Sequence, residues 1–301
     1  MTDIYCGMSL MLMLAAACFV WTRRAVRGLP LLACDLLGLF IVAAICAHIR
    51  WLWDDIRLAQ WLPYSNLIVI SNWYVPLAGV LAGLAWRRIE QSPPRRWAAV
   101  LMLLGASLYA TIQPVWGVPP HCEAVWEQTS RGRCFYQTTQ STCSAAAAAT
   151  MLSQYGIPAD EQEMAELCLT RTGTTWKGLF RGLVLKTAAT QWNVEAFRSE
   201  SGDSLKDAEG PLVLCARLPG DHPDARAYQR EWGWIPDTSH TVVMLNSPRP
   251  GEFIVHDPVA GIEIWTDEDV RALWTGVGMR FVPRQEQRIS AARPVAGLQI
   301  Q

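Results

Sequence analysis

Several patterns that mark common protein classes are missing from this 301-residue sequence. No basic run interleaved with aromatic residues occurs, which excludes the usual nucleic-acid-binding surfaces and predicts no nucleic-acid partner. No CxxC or HxxxH pattern occurs, so the sequence predicts no metal site and no cofactor. The GxxxxGK[ST] phosphate-binding motif is also absent, which argues against an ATP-hydrolysing domain of the P-loop type within these residues.

Lysine is absent from residues 1–116, which carry nine Arg and five acidic residues and are otherwise almost wholly apolar. Four apolar stretches lie there, at residues 4–22, 29–48, 62–86 and 97–116. Each is close to the ~20 residues that a helix needs to span a bilayer. The first is not typical of a signal peptide, because no positive charge precedes it and arginines follow it. The sequence therefore predicts an all-α domain of about four transmembrane helices over 1–116, embedded in a lipid bilayer.

The arginines of this domain are unevenly distributed among its loops. The first and third loops hold seven, and the second loop holds two that are offset by Asp54 and Asp55. Arginine-rich loops tend to stay in the cytoplasm, so loops one and three are predicted to be cytoplasmic. Both termini, with residues 117–301, would then lie outside a bacterial-type inner membrane. The seven arginines are Arg23, Arg24, Arg27, Arg87, Arg88, Arg95 and Arg96, against Arg50 and Arg57.

Asp35, Asn66 and Asn72 fall inside the predicted spans, and His48 lies at the end of the second. Polar groups in a bilayer are costly and often functional, but they also form hydrogen bonds between helices. Hydrogen bonding within the bundle is the favoured interpretation for the two Asn residues. The role of Asp35 stays open between the two.

Residues 117–301 have the patterning of a soluble domain, with 17 basic and 22 acidic residues. Helices are predicted first, at 143–155, 160–169 and 175–190. Strands follow at 192–198, 211–217, 240–246, 252–257, 261–265 and 278–283, with a short helix at 266–274 capped by Thr266 and Asp269. Residues 218–237, which contain Trp232-Gly-Trp234, are predicted to be an inserted loop. Helices followed by an antiparallel sheet indicate an α+β fold.

Cys143 stands at the predicted start of the first of these helices, after the polar run Gln137-Thr-Thr-Gln140-Ser-Thr. A helix N-terminus lowers a thiol's pKa, because its free N–H groups and dipole favour negative charge. The same first turn offers backbone donors to an oxyanion. The pattern therefore favours a nucleophilic cysteine over a buried structural one.

His240 begins a predicted strand, and Asp257 ends the next one. A hairpin brings these two ends together, so the sequence predicts His240 as the base of Cys143 and Asp257 as the residue that orients it. His256 alternates to the other face of the sheet and is not expected to take part. Gln137 and Gln140 are candidates to donate an amide to the oxyanion, the alternative being an ordinary polar loop.

The remaining cysteines are predicted to be structural. Cys122 and Cys134 bracket a polar loop just before the Cys143 motif, and in an external domain this spacing suits a disulfide. Cys168 and Cys215 are expected to be buried in a helix and a strand, with pairing between them left open.

These residues resemble the C39 family of cysteine peptidases, papain-like domains known for removing leader peptides from bacteriocin precursors. The similar segments include Gln137-Thr-Thr-Gln-Ser-Thr-Cys143, His240-Thr-Val-Val and His256-Asp257-Pro258, within residues 130–283. The resemblance implies a papain-like fold, a Cys143–His240–Asp257 triad and Gln137 as the oxyanion-hole glutamine, six residues before the cysteine. Ser144 stands where the family usually has Gly.

The sequence thus predicts a membrane-anchored cysteine endopeptidase that processes a peptide or protein substrate. A neighbouring transporter or secretion component is a candidate partner. Acyl or amide transfer on the same fold is an alternative that the sequence does not separate from hydrolysis. A non-catalytic, membrane-bound binding module with a peptidase-like fold is the alternative from a different class.

Overall fold

The computed structural model describes residues 1–89, 92–206, 208 and 210–284. The chain divides into two compact units. The first comprises Met1–Leu58 and Leu62–Gly117, and the second comprises Ala59–Trp61 and the residues from Val118 onwards.

The first unit is all-helical. Its helices are α1 (Thr2–Ala25), α2 (Leu31–Ala47, continued by a π-helical turn, His48–Leu52), α4 (Leu67–Ile70), α5 (Tyr74–Arg88) and α6 (Pro93–Ile112, continued by a 3₁₀ turn, Gln113–Val115). The short α3 (Leu58–Trp61) lies between α2 and α4 in the chain, and its last three residues belong to the second unit. Within the described part of the chain, four helical segments are long and apolar enough to cross a membrane: Thr2–Ala25, Leu31–Leu52, Leu67–Arg88 and Pro93–Val115. The predicted all-α unit of about four spans is confirmed, and these helices are consistent with a membrane anchor.

Helices α1 and α5 pack at very short range because α5 carries glycine where they meet. A Cβ at Gly79 would lie 2.2 Å from the carbonyl oxygen of Ala15, and one at Gly83 would lie 2.6 Å from Cβ of Thr22. Small residues four apart allow this close backbone approach in apolar helix pairs. A larger side chain at either glycine would force the helices apart.

The polar residues of the spans are used for helix–helix contacts. Asn66 donates from Nδ2 to the carbonyl of Asp3 (3.4 Å), and Asn72 donates from Nδ2 to the carbonyl of Ala110 (3.3 Å). These bonds are of the kind favoured from the sequence. Asp35, whose role was open, forms an ion pair with Nε of Arg88 at 2.9 Å. Asn72 also lies in the break between α4 and α5, which the sequence did not predict.

The second unit begins with a hairpin and three helices. Strands β1 (Trp126–Gln128) and β2 (Arg133–Phe135) are followed by α7 (Cys143–Gln154), α8 (Glu161–Leu167) and α9 (Trp176–Thr187). The run Ala145–Ala149 is completely buried in α7, because its small side chains let the helix lie close to its neighbours. The helix stops at Gly156, whose φ of +68° favours glycine.

A six-stranded antiparallel sheet follows in the order β3-β8-β4-β5-β6-β7. The strands are β3 (Trp192–Arg198), β4 (Leu212–Arg217), β5 (Ser239–Arg249), β6 (Glu252–Asp257), β7 (Gly261–Thr266) and β8 (Trp274–Pro283). The described part of the unit also contains the helices α10 (Asp203–Lys206), α11 (Ala225–Trp232) and α12 (Asp267–Leu273). The predicted α+β class is confirmed, as is the capping box at α12, in which Thr266 and Asp269 bond each other's backbone.

Several expectations about cysteines and loops need correction. Cys122 and Cys134 are free thiols, so the predicted disulfide is not supported. The hairpin register places Cys134 opposite Glu127, while the backbone N–H of Cys122 donates to Gln162 of α8. The pairing of Cys168 and Cys215, which the sequence left open, is not present, since both are free thiols. Cys168 is fully buried as expected, but Cys215 is only partly buried. The segment 218–237 is also not a plain loop, since it contains α11.

Candidate active site

Cys143 is the first residue of α7, and the segment before it is folded tightly. Thr142, which caps the helix without a side-chain bond to it, donates instead from its hydroxyl to the carbonyl of Thr139 (3.0 Å). Ser144, directly after the cysteine, shares a hydrogen bond between hydroxyls with Thr241 of β5 at 2.8 Å, and both residues are buried. This bond joins the start of α7 to the strand that carries His240, which fixes the nucleophile beside the base.

The register of β5 and β6 explains how His240 and Asp257 meet. Val243 pairs with His256, so Asp257 lies across from Val242, two residues from His240 and on the same face of the sheet. Nε2 of His240 lies 2.8 Å from Oδ1 of Asp257. Since Nε2 is engaged by the carboxylate, Nδ1 is the ring nitrogen available to Cys143. The structure thus brings together the three residues that the sequence singled out.

The Asp257 carboxylate is completely buried but well supplied with donors. Besides His240, it accepts the backbone N–H of Val259 at 2.8 Å and the indole Nε1–H of Trp234 at 2.5 Å. Burial alone would raise the pKa of Asp257, but the bond to His240 and these N–H donors lower it below its usual value. The carboxylate is therefore ionised in the folded protein at neutral pH.

The charges of Cys143 and His240 support each other. Burial disfavours the thiolate, but hydrogen bonding to His240 and its positive charge outweigh this and lower the pKa of Cys143. Burial also disfavours the imidazolium, yet the hydrogen bond that His240 donates to Asp257 and the contact with Cys143 raise the pKa of His240. Both shifts favour a thiolate–imidazolium pair at neutral pH, which is the reactive state of a catalytic cysteine.

Gln137 and Gln140 line the same cavity of about 200 Å³ as Cys143 and His240. The backbone N–H of Gln137 donates to the carbonyl of Pro258 (2.9 Å), and its Nε2 donates to the carbonyl of Thr139 (3.0 Å). A side-chain amide has two N–H donors, so one remains for an oxyanion in the cavity. The next residue, Thr138, is held by the buried Glu161 through both its N–H and its hydroxyl, at 2.8 Å each.

Trp234 is a residue of the site that the sequence analysis did not assign. Its buried ring packs against His240 with 4.7 Å between ring centroids, while its indole N–H bonds Asp257. It follows α11 directly, and Gly233, which caps the end of that helix with a φ of +70°, turns the chain sharply before it. The Trp-Gly-Trp run shortly before His240 could have drawn attention to Trp234 in the sequence. The run does not show where the indole points, because that depends on how the segment packs.

His256, next to Asp257 in the chain, lies outside this arrangement. His256 is buried on the opposite face of β6, edge-on to Tyr136 at 5.5 Å between ring centroids. Burial lowers the pKa of His256 to about 4, so it stays neutral and does not serve as a base. Among the described residues, no group of three His, Cys, Asp or Glu side chains is placed to hold a metal ion.

Solved structures similar to this chain are peptidase domains. One is the peptidase domain of Streptococcus ComA, a bifunctional ABC transporter involved in quorum sensing, with 18% identity and a TM-score of 0.39 over 50% of this chain and 97% of that domain. Another is the peptidase domain of Streptococcus mutans ComA, with 17% identity and a TM-score of 0.34 over 50% and 98%. A third is a double glycine motif protease from an AMS/PCAT transporter, in complex with a leader peptide, with 19% identity and a TM-score of 0.37 over 52% and 96%.

No family model matches the sequence, and no curated protein matches it either. At such low identity, the roles of individual residues depend on the geometry of this site.

Proposed function

We propose that this protein is a membrane-anchored cysteine endopeptidase whose catalytic residues are Cys143, His240, Asp257 and Gln137. The observation that carries the proposal is the arrangement at the cavity. The thiol of Cys143 lies at a helix N-terminus. The imidazole of His240 lies between this thiol and the buried carboxylate of Asp257, and 2.8 Å separates the imidazole from the carboxylate. A merely structural cysteine has no need of a base held by an ionised acid.

In the proposed mechanism, the Cys143 thiolate attacks the carbonyl carbon of a peptide bond. The oxyanion that forms accepts hydrogen bonds from the backbone N–H of Cys143 and from Nε2 of Gln137. His240 donates its Nδ1 proton to the departing amine, which leaves Cys143 acylated. His240 then takes a proton from water, and the hydroxide hydrolyses the acyl-enzyme and restores the thiolate. Asp257 holds the imidazole in place and stabilises its positive charge throughout.

The proposed substrate is a peptide or protein precursor. The solved domains similar to this chain belong to transporters, and one was seen with a leader peptide. A transporter or secretion component that supplies the substrate is the corresponding candidate partner. Transfer of the acyl group to an amine instead of water would use the same residues up to the acyl-enzyme.

Alkylation by iodoacetamide at pH 6 tests the nucleophile without knowledge of the substrate. Cys143 is expected to react about 100-fold faster than Cys122 or Cys134, because only thiolates react and the pKa of Cys143 is lowered. The pKa of Cys122 is raised to about 11 and that of Cys134 to about 12, mainly by burial. Both stay protonated at pH 6 and therefore serve as unreactive internal controls. Site-resolved mass spectrometry of the full-length protein gives the rates.

The same experiment on His240→Ala protein isolates the contribution of the imidazole. Without it, the thiolate of Cys143 loses its hydrogen-bond partner, and labelling at pH 6 should fall to near the rate of the control thiols. If Cys143 in the unaltered protein reacts no faster than Cys122, the non-catalytic binding module becomes the better description of this domain.

We further propose that the first unit anchors the protein in the bacterial inner membrane with residues 117–301 outside. The support is the seven-to-two distribution of arginines between the loops, because arginine-rich loops stay in the cytoplasm. Protease added to spheroplasts should digest the C-terminal half while a cytoplasmic marker protein stays intact. Protection of that half until the membrane is permeabilised would establish the opposite orientation.

A further inference from the structure

Glu161 is a completely buried acidic residue that the proposed mechanism does not use. It is the first residue of α8, a helix that Asp160 caps by accepting the backbone N–H of Glu163. The start of a helix is a favourable place for an acidic side chain, but that preference does not require burial. A carboxyl group is buried only where hydrogen-bond donors satisfy it, so its donors indicate its role.

Both oxygens of the Glu161 side chain are bonded to one residue, Thr138. Oε1 accepts the backbone N–H of Thr138 and Oε2 accepts its hydroxyl group, each at 2.8 Å. The hydroxyl oxygen in turn accepts the backbone N–H of Glu123 at 3.0 Å. Thr138 is therefore fixed at its main chain and at its side chain by two segments that are distant in the sequence.

Thr138 directly follows Gln137, whose side chain lines the cavity of Cys143. The backbone N–H of Gln137 donates to the carbonyl of Pro258 at 2.9 Å, so both peptide groups that flank Gln137 are held. A donor to an oxyanion must lie within about 2.7 to 3.1 Å of it, and misplacement by about 1 Å can cost 10²-fold in rate. The position of the Gln137 backbone therefore matters for the chemistry at Cys143.

Another acidic residue of α8 shows what an ordinary structural contact looks like. Glu163 pairs with Lys186 of α9 at 2.9 Å, and 44% of the Glu163 side chain is exposed. That pair links two helices at the surface. Glu161, in contrast, uses both of its oxygens to hold the residue next to Gln137.

We propose that Glu161 is a positioning residue, which acts through Thr138 to hold the amide of Gln137 at the oxyanion position. The inference rests on the proposed peptidase function, because Gln137 has an oxyanion to bind only if Cys143 attacks a carbonyl group. Glu161 itself touches neither the substrate nor the reacting atoms. Its loss should therefore slow acyl transfer without changing the reactivity of the thiolate.

Two reagents separate acyl transfer from thiolate reactivity without knowledge of the substrate. With p-nitrophenyl acetate, the sulfur of Cys143 bonds to the ester carbonyl carbon through a tetrahedral oxyanion, and p-nitrophenolate leaves. With iodoacetamide, the sulfur bonds to the CH₂ carbon, iodide leaves, and no oxyanion forms at a carbonyl. Burial raises the pKa of Cys143, while contacts with His240, Ser144 and Thr241 lower it, and this pKa governs both reactions.

The test measures both rates at Cys143 in the full-length protein by site-resolved mass spectrometry. Glu161→Ala should slow acetylation about tenfold and leave alkylation within about twofold. Glu161→Gln can still accept the N–H of Thr138, so it should recover most of the acetylation rate. The matched control, Glu163→Ala, removes a carboxylate from the same helix and should leave both rates unchanged. Thr138→Val loses only the hydroxyl bond, and this milder variant should slow acetylation by about threefold.

A double-mutant cycle with Gln137 distinguishes positioning from a general structural role. Gln137→Ala should slow acetylation about 10²-fold, and adding Glu161→Ala should then cost less than about twofold. An equal cost of Glu161→Ala in both backgrounds, or equal slowing of acetylation and alkylation, would overturn the inference and leave the peptidase proposal intact. If Gln137→Ala leaves acetylation unchanged at a reactive Cys143, the inference is wrong because Gln137 binds no oxyanion. If Cys143 reacts no faster than Cys122 with either reagent, the peptidase proposal itself is wrong, and the inference with it.

Discussion

Replacing Cys143 by alanine is expected to abolish peptide-bond cleavage while the protein stays folded. The acyl-enzyme cannot form without the thiolate, so the loss in kcat should be about 10⁴-fold or more. His240→Ala should cost as much, because the two residues act as one unit and the imidazole both holds the thiolate and delivers the proton. A mixture of peptides, analysed for new termini by mass spectrometry, provides the assay while the substrate is unidentified.

Matched controls separate chemistry from folding in this experiment. Cys122→Ala removes a thiol outside the cavity, and His121→Ala removes an exposed imidazole, so both should keep activity. Cys143 is only partly buried at a helix end, so its truncation should change the free energy of unfolding by about 1 kcal/mol or less. Undiminished cleavage by purified Cys143→Ala protein would refute the assignment.

Asp257→Asn is expected to lower activity by about 10² to 10⁴-fold, less than loss of the nucleophile. The carboxylate raises the pKa of His240, so its removal lets the imidazolium lose its proton at lower pH. The alkaline limb of the bell-shaped profile of kcat/KM should therefore move to lower pH, since the thiolate–imidazolium pair exists only between the two pKa values. A pH profile of inactivation by iodoacetamide reports the same pair.

Trp234→Phe is the companion variant for this prediction. Phenylalanine keeps a ring beside His240 but loses the N–H that bonds Asp257, so the alkaline limb should shift in the same direction by a smaller amount. An unchanged alkaline limb in Asp257→Asn would mean that the carboxylate does not set the charge of His240. Asp257 also makes the free energy of unfolding depend on pH, because folding lowers the pKa of its carboxyl group. Its stabilising contribution is present above the pKa of the unfolded state and is lost as the pH falls through the pKa of the folded state.

Local rules in the sequence were sufficient for much of the fold. The alanine run after Cys143 and the stop at Gly156 predicted α7 almost to the residue, because helix propensity and the left-handed glycine act within a few residues. The period of two along β6 placed His256 and Asp257 on opposite faces before any pairing was known. The apolar stretches predicted four helices for the same reason, since length and hydropathy are local properties.

Contacts between distant segments were decided by the tertiary structure alone. Cys122 and Cys134 looked like a disulfide from their spacing, but the hairpin register gave Cys134 a different neighbour and α8 engaged Cys122. Asn72, in the break between α4 and α5, bonds the carbonyl of Ala110 in α6, a contact that no local pattern encodes. Residue types and periodicity therefore determined most of the elements and the three main candidate residues, but not the β1–β2 hairpin or the helices α10 and α11. The role of Trp234 and the joining of Ser144 to Thr241 depended on packing, because only packing brings residues so far apart in the chain to within hydrogen-bond distance.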